Sequence, residues 1–275
     1  MRRFEQTLVA IALSTFVFLG FAGSANAKES RFSGTAQLDL TNAYYFRGIL
    51  NESNGLIAEP WGELYFSLYS AEDGFIRDIT LGAGVWLSIH SEDTLAANEP
   101  ESLYEADYYP LLSIDLAGGF NLTTTYYFYT SPNGAWTETV DELNFKLAWD
   151  DSDASPFPVQ PWVNVAIETH STSLGNNSGS GLQLGIEPTL FENDHISVSL
   201  PVELGLAIDD YYEGVKAHEN TFGYANLGLG MSVPITDTFA ASLGFKYFLF
   251  GDDLQTVNGG HGGHGVGTAS LTAEF

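Results

Sequence analysis

Carboxylates recur at alternate positions in segments otherwise built from aromatic and branched apolar residues. Asp39, Glu59, Glu63, Asp78, Asp115, Glu142, Glu168, Glu187 and Glu203 all stand in such settings, and Lys146, Lys246 and Arg47 are the cationic exceptions. If one face of each segment looks into a shared interior, the acids form rings. Such rings concentrate cations along a path. The competing reading is that each acid is consumed by a nearby base or tyrosine hydroxyl, which would fill the interior. The residue types alone leave both open.

Three other groups could do chemistry. Gly259-Gly260-His261-Gly262-Gly263-His264-Gly265 has the look of a metal clasp, with His261 and His264 as weak ligand candidates, but a solvated glycine loop explains it as well. Asp151-Ser152-Asp153 is similar to part of a calcium loop, and Ala154 and Pro156 break that pattern, so no metal is assigned. His170-Ser171-Thr172-Ser173 invites comparison with the His-x-Ser pair of lipid-hydrolysing barrels. The residue two after the histidine is Thr172, so the expectation is no catalytic residue, no enzyme and no cofactor.

The elements that must position these acids announce themselves by composition. The chain has 275 residues, a formal net charge of −26 and no cysteine. Such acidity excludes nucleic acid, which is bound through Lys and Arg. Without cysteine there are no disulfides to lean on. Aromatic content of 14% excludes disorder. Residues 1–27 have a basic start at Arg2 and Arg3, an apolar core from Leu8 to Phe21 and a small-x-small site at Ala25-Asn26-Ala27. That is the layout of a secretory signal cleaved after Ala27. The domain expected from residues 28–275 is one charge more negative than the whole chain once Arg2, Arg3 and Glu5 are gone.

After residue 27 no apolar run reaches helical spanning length, so any membrane crossing must use strands closed into a barrel. Period-two alternation runs from end to end. Ile79, Leu81, Ala83, Val85, Leu87 and Ile89 alternate with Asp78, Thr80, Gly82, Gly84, Trp86 and Ser88. In the first strand, Leu38, Leu40, Tyr44 and Phe46 share the outward stripe. About twelve strands are expected, joined by connections that are brief after even strands and longer after odd ones, which is how outer-membrane barrels are built. That arrangement puts both termini in the periplasm. Phe66, Phe120, Trp149, Phe239 and Phe275 then fall near one rim, and Phe46, Tyr108, Phe128 and Tyr247 near the other, as two aromatic girdles. A soluble β-sandwich has no reason for either feature. The expected fold class is all-β, a transmembrane antiparallel up-and-down β-barrel.

Two stretches resemble known proteins. Leu40-Thr41-Asn42-Ala43-Tyr44-Tyr45-Phe46-Arg47-Gly48-Ile49, followed by Gly84-Val85-Trp86, resembles the opening of the TorF-like outer-membrane porin family. The resemblance covers about the first 60 residues after the signal and implies a pore. The terminal Phe275, closing a strand that carries Leu271 and Ala273, resembles the signal read by the barrel-assembly machinery. The expected partners are therefore outer-membrane lipid, that machinery, and small solutes or cations. The expected function is a porin-like channel of the bacterial outer membrane, passive and cation-preferring. A structural or ligand-binding barrel without an open pore is the alternative. Twelve strands lie between filled barrels of about 8 and open ones of 16 to 18. Inward Trp61, Tyr65, Trp86, Tyr109, Tyr127, Trp162 and Tyr224 would narrow the passage further.

Overall fold

Segments that alternate apolar and polar residues can satisfy their backbone only by pairing, and in a ring no edge is left over. A computed structural model describes residues 31–92, 97–98, 100–136, 140–170, 179–209, 211–212 and 221–275. The first wall of strands comprises β1 (Phe32–Thr41), β4 (Ile57–Ser70), β5 (Ile76–His90), β6 (Leu103–Leu116), β7 (Phe120–Thr130) and β8 (Val140–Trp149). The second comprises β9 (Trp162–His170), β10 (Ser180–Ile186), β11 (Thr189–Asn193), β12 (Ile196–Ser199), β13 (Val202–Asp209), β14 (Phe222–Pro234), β15 (Phe239–Phe250) and β16 (Gly263–Glu274). Between β1 and β4 lies a small separate hairpin, β2 (Tyr44–Phe46) and β3 (Ile49–Glu52).

Neighbours pair antiparallel all the way round. β1 joins both β4 and β16, and β14 joins β15, so the sheet closes. Two spans are each broken once, β10/β11 before Pro188 and β12/β13 before Pro201, because proline has no N–H for the ladder. The chain stays tied there: Leu200 N–H donates to Pro188 O (3.0 Å) and Gly228 N–H to Pro201 O (2.7 Å). Counting each broken pair as one span gives twelve. The last residue helps to shut the ring, since Phe275 and Gly34 exchange backbone hydrogen bonds of 3.0 and 2.8 Å.

The alternation resolves into two surfaces. Leu64, Leu81, Leu227, Leu243 and Leu271 are exposed on the outside, as a lipid-facing band requires. Tight turns join the strands at one end, such as Ala117–Gly119 between β6 and β7, where Gly118 and Gly119 both have positive φ. Long connections gather at the other end, and one holds a short helix, α1 (Asp252–Val257). The loop expected over Gly251–Gly263 is thus largely structured, and His264 already belongs to β16.

The first strand is shorter than its alternation implied. It stops at Thr41, whose Oγ1 donates to Ala43 O (3.1 Å) and so competes with the ladder. Tyr44 to Phe46 leave the wall and fold into the barrel as β2. Phe46 is therefore no girdle residue: its ring packs edge-on against Tyr129 at 5.0 Å, inside. The physical reason is the next residue, Arg47, whose charge finds partners only in the interior.

Candidate functional site

The site is the barrel interior at the long-loop end, and the β2–β3 hairpin organises it. Its tip is Arg47-Gly48, with φ of 53° and 79°. Two successive positive φ values make the tight turn that matches strand twist. Glycine takes this conformation freely, whereas arginine is strained there and needs compensating contacts. Those contacts are two ion pairs: Arg47 Nη1 donates to Glu168 Oε1 at 2.7 Å, and Nη2 donates to Glu142 Oε2. The guanidinium also lies over the rings of Phe46 (4.4 Å) and Tyr211 (4.3 Å). Glu142 is further held by Tyr211 Oη (3.0 Å), Tyr129 Oη (3.2 Å) and Asn144 Nδ2 (2.7 Å). A buried charge this fully partnered is tolerated, and one stripped of partners is not.

Other walls grip the rest of the hairpin. Asn258, just after α1, accepts the Leu50 N–H with Oδ1 and donates through Nδ2 to Gly48 O, both at 2.8 Å. Tyr44 Oη donates to Glu105 Oε2 (2.8 Å), and Tyr104 Oη donates to Asn51 Oδ1 (3.1 Å). Tyr45 stacks on Phe248 and Phe250 at 5.2 and 5.4 Å. The hairpin is thus fixed to β6, β8, β9, β15 and the α1 connection.

Beside it runs a belt of amides and tyrosines. Asn164 Nδ2 donates to Asn144 Oδ1 (2.6 Å) and to Gln183 Oε1 (2.8 Å), Gln183 Nε2 reaches Tyr224 Oη (3.4 Å), and Tyr224 Oη donates to Glu203. Among the described residues the interior holds open cavities. One of about 350 Å³ lies along this belt, and one of about 650 Å³ is lined by Asp39, Glu59, Tyr44 and Trp86 and by Ser199, Ser232, Ser242 and Gly244 opposite. They share Tyr45, Lys246 and Phe248 in their linings, so they adjoin around the hairpin.

The acids read as inward are paired within the lumen in several ways. Glu63 accepts Tyr109 Oη (2.8 Å) and Tyr65 Oη; Asp78 accepts Ser67 Oγ (3.4 Å); Asp115 accepts Asn121 Nδ2 (2.6 Å); Glu187 accepts Ser199 Oγ (3.0 Å). Asp39 accepts Gln37 Nε2 (2.7 Å) and faces Glu59 across the β1–β4 ladder. Lys146 sits 4.9 Å from the Trp162 ring, and Lys246 lines both cavities. Arg47, Glu142 and Glu168 are brought together, which spacing alone did not indicate.

The other aromatics expected in the girdles fall on the outer surface. Phe66 meets Phe32 at 4.8 Å, Phe120 stacks on Trp149 at 5.4 Å near the short turns, and Tyr108 is opposite Phe128 in register with both exposed. Phe239 opposes Ala273 in the ladder, and Tyr247 is exposed beside Leu227. Glu105 and Asp107, not among the acids read as inward, also face the interior, since β6 begins at Leu103 and both share the face of Tyr109. Carrying the alternation of Tyr109 back by two and four residues would have found them. Asp151 also has a part, though not a metal's: in the β8–β9 connection its carboxylate accepts the N–H groups of Val159 and Gln160 at 2.9 to 3.1 Å.

The histidines do not converge. His261 is exposed, His264 packs 5.5 Å from Tyr45, and among the described residues no group of three or more acids or histidines could hold a metal. His170 ends β9 opposite Asp141, while Ser171-Thr172-Ser173 and residues 1–27 lie outside the described residues.

No protein-family model matches this sequence, and neither does any curated protein. Solved structures do. The COG4313 outer membrane channel from Pseudomonas putida F1 is 12% identical, with 92% of this chain and 98% of that chain covered at a TM-score of 0.53. The NanC porin is 11% identical over 86% of this chain and 100% of that chain (TM-score 0.45). Outer membrane phospholipase A from Escherichia coli is 16% identical over 90% and 94% (TM-score 0.46). At such identities likeness speaks for architecture alone. The chain has the fold of an outer-membrane β-barrel.

Proposed function

We propose that this chain is a channel of the bacterial outer membrane that passes small solutes and ions by diffusion, prefers cations, and is narrowed by its own β2–β3 hairpin. The observation that carries the reading is the pair of adjoining interior cavities bounded by acids and hydroxyls inside a closed wall. Carboxylates outnumber cations along that wall, and a low-dielectric surround strengthens their hold on passing positive charge. The short-turn end and both termini face the periplasm, as loop lengths in such barrels run. The stretch resembling TorF-like porins is the one that forms the constricting hairpin. In this reading export follows cleavage after Ala27, and passage of the solute makes and breaks no covalent bond.

Planar-bilayer recording of purified protein tests this. Discrete conductance steps with a reversal potential on the cation side are expected. Absence of any steps would overturn the channel, and an anion-side reversal would overturn the cation preference. A second reading, a binding barrel that stays closed, draws on the number of walls gripping the hairpin. It predicts a silent wild type and a conducting Asn258→Ala variant.

A further inference from the structure

The larger cavity is more specific than an acidic passage requires. Asp39 and Glu59 stand directly opposite one another on β1 and β4, and both line it. Like charges facing each other across a ladder repel. Among the described residues the ion pairs are Arg47's, and neither acid takes part in them. Beside these acids the rings of Tyr44 and Trp86 meet at 5.3 Å and form an aromatic corner of the same cavity. Behind that corner Asp107 opposes Trp86 in register, is 5% exposed, and leaves Oδ1 without a hydrogen-bond partner. Asp39 and Glu59 therefore face the cavity without an ion pair to a base among the described residues, and a buried carboxylate is stabilised by such a partner.

Carboxylates set around aromatic faces are the chemistry that selects an ammonium group, by Coulomb attraction and by the ring quadrupole. A bare metal ion fits less well, because no three acids among the described residues converge on one point. A volume of about 650 Å³ admits a small organic molecule. We propose that this cavity binds a small organic ammonium ion, with its head against Tyr44 and Trp86 and its charge between Asp39 and Glu59. Lys246 and Glu187 also line the cavity, and Glu187 accepts a hydrogen bond from Ser199 Oγ (3.0 Å). The inference deepens the channel reading and rests on this cavity lying along the solute path.

Calorimetry on the full chain in detergent micelles tests it, with choline as probe and 3,3-dimethylbutan-1-ol as its uncharged counterpart. Choline is expected to bind at least about tenfold more tightly than the alcohol. Asp39→Asn with Glu59→Gln, and separately Trp86→Leu, should each weaken choline by about tenfold or more. Equal binding of choline and the alcohol by the wild type, which needs no variant to fold, overturns the proposal. So does unchanged choline affinity in folded variants. Bilayer currents are read independently. Choline binding without currents removes the channel and keeps the ammonium site, whereas currents without choline binding do the reverse.

Discussion

Two inward glycines on opposite walls show how one strand pattern yields two kinds of surface. Gly84 on β5 lies under the Tyr109 ring, so closely that an added Cβ would collide with it. Gly244 on β15 has nothing within 4 Å of where its Cβ would be. The β4–β8 wall is crowded with rings and acids, and glycine there makes room for a neighbour's side chain. On the β12–β16 side the large cavity is lined by the small residues Ser199, Gly230, Ser232, Ser242 and Gly244, beside Lys246 and Phe248. Crowding supplies the hairpin's anchors, Glu105, Glu142 and Tyr129, while the sparse wall supplies the volume. Alternation decides which residues face in, and side-chain size decides whether the space they enclose is filled.

The strongest way to break this contrast is to free the hairpin from the crowded wall. Arg47→Ala leaves Glu142 and Glu168 buried without their counter-ion, and a loss of about 3–5 kcal/mol is expected in denaturant unfolding. Single-channel conductance should rise in the same variant, since the constricting tip has lost its hold. Next is the glycine comparison itself. Gly84→Ala should cost about 1–3 kcal/mol by overpacking against Tyr109, and Gly244→Ala should stay within about 0.5 kcal/mol. Gly244→Trp should fold and yet reduce conductance, because it fills the sparse side. Equal stabilities for the two alanine variants would erase the distinction between the walls.

A smaller effect is expected at the α1 side. Asn258→Ala removes two hydrogen bonds to the hairpin, worth about 1 kcal/mol each, and hydrogen exchange at Leu50 should quicken while the strands stay protected. The smallest lies outside the membrane, in the β8–β9 connection. Burial pushes the Asp151 carboxyl up, but the N–H groups of Gln160 and Val159 outweigh it and hold it below the ordinary aspartate value. They also hold Gln160 at a φ of 48°, a conformation it would not take freely. A depressed folded-state value means the stabilisation is full above the unfolded aspartate pKa and is lost as pH falls through the folded one. Asp151→Asn should therefore be less stable than wild type at neutral pH, and the gap should close in acid. A gap that persists at low pH would assign the effect to shape and not to charge.

Much of the architecture was legible in the chain. The span count, the outward stripe through Leu81 and Val85, and the inward acids all follow from period-two alternation, because a strand's side chains have only two directions to point. The prolines and Thr41 that interrupt it were visible as letters, but not the folding inward of Tyr44, Tyr45 and Phe46, since alternation continues through them unbroken. Glu105 and Asp107 share the face of Tyr109 and were within reach of the same alternation.

What the sequence by itself determined is a local periodicity, strong enough over twelve spans to require a closed wall with an apolar outside and an acidic inside. What only the tertiary structure decided is the meeting of Arg47 with Glu142 and Glu168, of Asn258 with Gly48 and Leu50, and of Tyr44 with Trp86. These residues stand far apart in the chain, and no spacing rule connects them. They meet because closing the ring brings β1, β8, β9 and β15 around one interior, and because a buried guanidinium settles where two carboxylates already wait.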